Sequence, residues 1–154
     1  MIDLLALCAF NAAYAEAIDS DALESWPDFF ADDCHYRITH VENEREGLAA
    51  GIVYADSKAM LEDRIAALRE ANIYERQRYR HLLGVPLMQR AEGGEAEART
   101  PFIVARIMAT GETDVFATGA YQDRFVMVDG KLLLASRVAV CDSTVTDTLL
   151  ALPL

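Results

Sequence analysis

Basic residues are scarce in this chain: fourteen lysines and arginines stand against twenty-five aspartates and glutamates, a formal net charge of −11. Such a surface repels phosphate, which excludes nucleic acid and acidic membrane faces unless a local basic patch offsets the charge. The densest basic stretch, Arg76 to Arg80, is short and falls in a predicted strand. Cysteine is equally sparse. Cys8, Cys34 and Cys141 are odd in number, far apart and form no C-x-x-C pair, which argues against a disulfide framework or a structural zinc site and for a reduced, cytoplasmic protein. There is no glycine-rich phosphate loop and no G-x-S-x-G elbow. There is also no bilayer-length apolar run. The stretch Ile2 to Ile18 is interrupted by Asp3 and Glu16 and lacks a basic leader, so it reads as a buried helix. Repeats, low-complexity runs and linkers are missing too. What remains is 154 residues at 53% hydrophobic, enough for a single domain, 1–154, with a real core.

The periodicity changes along the chain. Leu4, Leu7, Cys8, Asn11, Tyr14, Ala15 and Ile18 recur at three and four, predicting a helix over 2–18. One of Asp19, Ser20 or Asp21 is placed to cap a short second helix through Leu23 and Trp26, and Pro27 fits the first turn of a further piece ending near Phe30. Cys34, Tyr36 and Ile38 then alternate with His35, Arg37 and Thr39, a strand with one buried face. Residues 41–50 read as a charged loop and Gly51 to Tyr54 as a short strand. A helix capped by Ser57 follows, with the stripe Leu61, Ile65 and Leu68 and a stop at Asn72. Long strands are predicted near 78–90, 99–110, 113–128 and 131–142. Gly93-Gly94, Gly111 and Asp129-Gly130 mark the turns. Gly119 predicts a bulge or bend, and Pro86 an edge or irregularity. Ser143 to Leu152 reads as a short helix or extended arm. The order gives an α+β fold, a curved antiparallel sheet wrapped on N-terminal helices, by analogy the cone shared by nuclear-transport-factor-like and cystatin-like proteins.

The late strands are apolar on both faces. Strict alternation sets Leu132, Leu134, Val138 and Val140 against Leu133, Ala135, Ala139 and Cys141, and Phe102, Val104 and Met108 against Ile103, Ala105 and Ile107. A sheet wet on one side alternates more cleanly. The second face therefore calls for self-association through the sheet, with cover by the C-terminal tail as the alternative.

Chemistry-bearing patterns are thin. A Rieske cluster needs two Cys/His pairs, whereas Cys34-His35 is the only such neighbour pair and points to opposite faces. His40-x-Glu42 with distant His81 is a weak approximation to two histidines and a carboxylate. Buried structural thiols are the expected reading of Cys34 and Cys141. Tyr14, Tyr36, His81 and Tyr121 point toward the cone interior, with Asp123 on the face of Tyr121. They fit either a satisfied core or the acid–base pocket of a stand-alone isomerase or dehydratase. Strand arginines, Arg78, Arg80, Arg106, Arg124 and Arg137, are expected to pair with carboxylates of this chain or a neighbour, ahead of binding a carboxylated ligand as a small-ligand module does.

Three stretches carry a family resemblance. Trp26-Pro27-Asp28-Phe29-Phe30 running into Cys34-His35-Tyr36, Ala55-Asp56-Ser57 with Met60 to Ile65, and Arg78-Tyr79-Arg80-His81-Leu82 together resemble the small, or beta, subunits of aromatic-ring-hydroxylating dioxygenases. The runs Glu46 to Val53, Leu68 to Arg76 and Ala139 to Leu149 resemble the terephthalate-oxidising branch of that family. The resemblance implies a cone-fold subunit with no catalytic residue and no cofactor of its own. It further implies a large, or alpha, partner subunit holding the Rieske [2Fe-2S] cluster and a mononuclear Fe(II), a three-plus-three hexamer, and electrons supplied indirectly by a reductase. Arg78, Arg80 and His81, which match a family motif, are expected to serve structure or subunit contacts, and Arg106 and Arg137 are added to them as interface residues.

Overall fold

The computed structural model describes residues 1–47, 53–71, 76–143 and 152–154. The first apolar stripe folds as α1, Leu4–Asp19, and Asp3 caps it by accepting a hydrogen bond from the Ala6 amide at 2.8 Å. A single 3-10 helix, Leu23–Phe29, follows in place of the two pieces expected. It has no side-chain cap, so none of Asp19, Ser20 and Asp21 caps it. Strand β1, Phe30–His40, buries Cys34, Tyr36 and Ile38 as the alternation predicts.

The next segment departs from expectation. Val41–Arg45 forms a short helix, α2, because the His40 side chain accepts from the Asn43 amide at 3.4 Å and so caps it. Helix α2 packs against β1 and against the last strand, Lys131–Cys141, and is tied there by Arg37 to Glu44 at 3.2 Å. It thus covers part of the sheet face that the sequence left bare. Strand β2, Val53–Ala55, and helix α3, Lys58–Ala71, follow, with Ser57 Oγ accepting from the Met60 amide at 3.2 Å. The expected strand start at 51–52, the stop at Asn72 and the tail reading over 144–151 lie outside the described residues.

The predicted strand 78–90 is two strands, β3 (Gln77–Leu83) and β4 (Leu87–Glu92), which both pair with β5 (Glu95–Met108). The break sits opposite Pro101, which has no amide proton to offer the ladder. Gly84 crosses there, its amide donating to the Pro101 carbonyl at 2.8 Å; a Cβ on Gly84 would lie 2.5 Å from the proline ring. Strands β6, Thr113–Val128, and β7, Lys131–Cys141, complete the sheet in the order β2-β1-β7-β6-β5-β3. Pairing is antiparallel except between β1 and β7. The β6–β7 turn is the predicted Asp129-Gly130, both residues at positive φ.

Two of the sheet's register shifts set the facing of its long strands. Phe116 is extra between the pairs Val104↔Ala117 and Ala105↔Val115, and Ala135 is extra between Phe125↔Leu134 and Arg124↔Ser136. The second corrects the strict alternation. Leu134 faces inward, but beyond Ala135 the inward residues are Arg137, Ala139 and Cys141. Gly119 is not bulged. It is needed for close approach, since a Cβ there would lie 2.1 Å from the Val140 carbonyl oxygen. Helices α1 and α3, the 3-10 helix, the inner sheet face and Leu152 and Leu154 share one core.

Candidate functional site

The inner face of the sheet carries the most chemistry-bearing side chains, and they are tied to one another. Hairpin register brings Asp123 of β6 opposite Arg137 of β7. Arg137 Nε and Nη2 each donate to the Asp123 carboxylate at 2.8 Å, and Nη2 also donates to Asn11 Oδ1 at 2.6 Å. Both charged side chains are 0% exposed. The guanidinium lies between two rings, 4.2 Å from the Tyr14 centroid and 3.9 Å from that of Tyr121. Burial pushes the Asp123 carboxyl up from the ordinary carboxylate range, while Arg137 pulls it back. Burial also works against the charge on Arg137, but Asp123 outweighs it and holds the guanidinium charged.

The cone interior is closed by residues of the same chain. Leu154 is fully buried, and its carbonyl accepts from Tyr14 at 2.7 Å and from Tyr36 at 3.1 Å, while its amide donates to the Tyr36 hydroxyl at 3.1 Å. Burial raises the pKa of Tyr14 and raises those of Tyr36 and Tyr121 well above the ordinary phenol value. These hydroxyls are therefore held protonated, and two of them are already committed to the backbone. A general base needs an acceptor within reach of a substrate proton, and among the described residues the carboxylate buried on this face, Asp123, is bound by Arg137.

The one remaining expected interior group, His81, is tied to α1 through its ring Nδ1 and its backbone amide, while its buried Nε2 has no partner among the described residues. His81 Nδ1 lies 2.7 Å from Asp19 Oδ1, and the His81 amide donates to Asp19 Oδ2 at 2.8 Å. The last residue of α1 thus closes the free edge of β3. Asp19 and Asn11 were not singled out as functional from the sequence. The available signal was Asn11 itself, a polar residue in an otherwise apolar stripe.

The metal patterns do not assemble. Cys34 is buried and His35 exposed on the opposite face. His40 caps α2, and His81 is bound to Asp19. Among the described residues no group of three His, Cys, Asp or Glu side chains is placed to hold a metal ion. The residues present do not fit an iron–sulfur or mononuclear iron centre. Burial pushes the Cys34 and Cys141 thiols up to about 11, away from nucleophilic thiolates. No helix among the described residues is long and apolar enough to cross a membrane.

The expected contact residues separate into two groups. His81 and Arg137 have side chains 0% exposed within the protomer; each is bound to a carboxylate of its own chain, the own-chain pairing expected for Arg137 as a strand arginine and the structural role weighed for His81. Arg106 is largely inward, with Asp114 at 3.4 Å and the Phe116 ring 4.8 Å away. Arg78 and Arg80 are exposed on the outer face of β3.

The family described as ring hydroxylating beta subunit matches residues 13–148. A terephthalate 1,2-dioxygenase terminal oxygenase component subunit beta from Comamonas is 66% identical over 154 residues, all of both chains. An anthranilate 1,2-dioxygenase small subunit from Burkholderia cepacia is 36% identical, covering 92% of this chain and 88% of its own. A crystal structure from Novosphingobium aromaticivorans, described as an aromatic-ring-hydroxylating dioxygenase beta subunit, superposes with a TM-score of 0.90 at 40% identity, covering 98% of this chain and 96% of that one.

Proposed function

The chain belongs to the ring hydroxylating beta subunit family, and from that premise we propose that it is the assembly subunit of a cytoplasmic terephthalate dioxygenase. The reading assigns ring oxidation to a large subunit carrying a Rieske cluster and a mononuclear iron, fed with electrons by a reductase. It assigns this chain the building of a three-plus-three hexamer, in part through the outer face of its sheet. The identity of 66% along the whole chain supports terephthalate over other aromatic acids. The observation that carries the assembly role is the closed inner face. Among the described residues the carboxylate that the sequence offered for acid–base work, Asp123, is bound by Arg137, and His81 is held through Nδ1 by Asp19, which leaves the buried, unpartnered Nε2 of His81 as the one group of that set a stand-alone isomerase or dehydratase would have to use.

The test is reconstitution. The large subunit encoded with this chain is purified with and without it, supplied with a reductase and NAD(P)H, and offered terephthalate, anthranilate and benzoate. The expected result is a cis-dihydrodiol dicarboxylate from terephthalate with the assembled pair, and no product from this chain alone. Preference for another acid would remove the substrate assignment, and turnover by the isolated chain would remove the assembly reading.

A further inference from the structure

Charge is divided unevenly within the chain. Residues 1–75 hold sixteen acidic and five basic side chains, and residues 76–154 hold nine of each. The whole net charge of −11 therefore belongs to the half that forms α1, α3, β1 and β2. The arginines are divided a second time by pairing. Arg37, Arg45, Arg69, Arg90, Arg106 and Arg137 each meet a carboxylate of their own chain. Arg78 and Arg80 have no carboxylate partner among the described residues. They stand on the outer face of β3, beside Ile107 and Ala105 of β5, and Leu82 stands beside Ile103 in the same row. Leu82 is 63% exposed and Ile103 44%. Two unpaired arginines among exposed aliphatics, in a protein that pairs most of its other arginines, form a surface built for an acidic partner that brings its own apolar groups.

A second copy of the chain carries such a surface. Helix α3 turns Leu61, Ile65 and Leu68 inward. Its opposite side exposes Glu62, Asp63 and Glu70, with Ala66 and Ala67 between them. Two of the three basic residues of α3 meet carboxylates outside the helix: Lys58 with Asp28 at 3.1 Å and Arg69 with Asp21 and Glu24 at 3.0 and 2.7 Å. We propose that the outer face of β3 and β5, through Arg78, Arg80, Leu82 and Ile103, seats the acidic face of α3 from a second copy of this chain. The contact joins two different surfaces, so it is head-to-tail. Repeated by rotation it closes a ring, as the three-fold hexamer requires. This deepens the assembly reading, on which it rests, by naming the two surfaces that meet.

The test uses the full chain and two charge-reversed variants, Arg78→Glu/Arg80→Glu and Glu62→Lys/Asp63→Lys, sized by light scattering alone, as an equimolar mixture, and after co-expression with the large subunit. The expected result is self-association of the native chain, weakening by more than about tenfold in either variant, since like charges facing each other are strongly disfavoured. Mixing the two variants restores association, because each supplies the surface that the other needs. Circular dichroism of both variants keeps misfolding separate from lost contact. Association by the Glu62→Lys/Asp63→Lys variant at native strength would overturn the proposal in favour of a face-to-face sheet contact. A native chain that stays at 17.0 kDa at tens of micromolar would overturn it too. If the charge-reversed chains still form a full hexamer with the large subunit, the proposal falls while the family reading stands, and the two failures are thereby told apart.

Discussion

The two faces of one sheet treat the same side chain in opposite ways. On the inner face Arg137 is wholly buried, clamped by Asp123 and Asn11 and sandwiched by two tyrosines. On the outer face Arg78 and Arg80 stand exposed among aliphatics. The inner arginine is enclosed because β6 places a carboxylate directly opposite it and α1 closes over the top. The outer arginines have only apolar neighbours in register on β5. An arginine whose charge is satisfied inside the protomer serves stability, and one that is not is, on the assembly proposed above, left for another molecule.

The largest effect that would break this contrast is at Arg137. Replacement by methionine strands the Asp123 carboxylate in the core, and the expected loss is about 3–5 kcal/mol in urea unfolding. Replacing both partners by leucine is expected to recover much of that loss. If Arg137→Met is neutral, the inner pair is not what closes that face. Gly119→Ala comes next, at about 1–3 kcal/mol, because the new methyl meets the Val140 carbonyl and β7 must move away; thermal melts read it.

Alkaline titration probes the whole inner face. The Cys34 and Cys141 thiols are raised from 9.0 to about 11, so their contribution to stability is full below pH 9. It is lost as pH climbs from 9 toward 11, since the unfolded thiols ionise first. The buried tyrosines act in the same direction at higher pH. The expected observation is a fall in unfolding free energy across that window, with phenolate absorbance from Tyr14, Tyr36 and Tyr121 appearing only as the fold opens. A smaller effect is expected at Tyr36→Phe, about 0.5–1.5 kcal/mol, from the lost hydrogen bonds to Leu154. Smallest of all is Arg78→Glu/Arg80→Glu, which is expected to change monomer stability by less than about 0.5 kcal/mol per site while removing self-association.

Much of the fold was legible in the sequence because it rests on local signals. The stripe of α1, the alternation of β1 and the Asp129-Gly130 turn each state their structure within a few residues. The facing of β7 was not legible. Counting back from the hairpin pairs Val128 with Lys131 and Phe125 with Leu134, and unbroken counting would place Asp123 opposite Ser136. The bulge at Ala135 moves the partner to Arg137. Nothing local marks that extra residue, since alanine fits either face. One inserted position therefore hid the buried ion pair and made Arg137 resemble a surface arginine. Residues 41–45 failed for a related reason: their charges read as a loop, and the helix is fixed by the His40 cap and by packing on β1 and β7. The interior tyrosines were legible as core, but their partner was not, because Leu154 is distant in sequence and arrives only when the chain folds back.

The contrast between the faces can be measured in one experiment. Phenylglyoxal labels accessible arginines, and mass spectrometry reads each site in the dilute isolated chain and in the oxygenase assembled with its large subunit. The expected pattern is labelling of Arg78 and Arg80 in the isolated chain, strong protection of both on assembly, and no labelling of Arg137 in either state. Equal labelling of Arg78 and Arg80 before and after assembly would contradict the account, as would a reactive Arg137 in the folded chain.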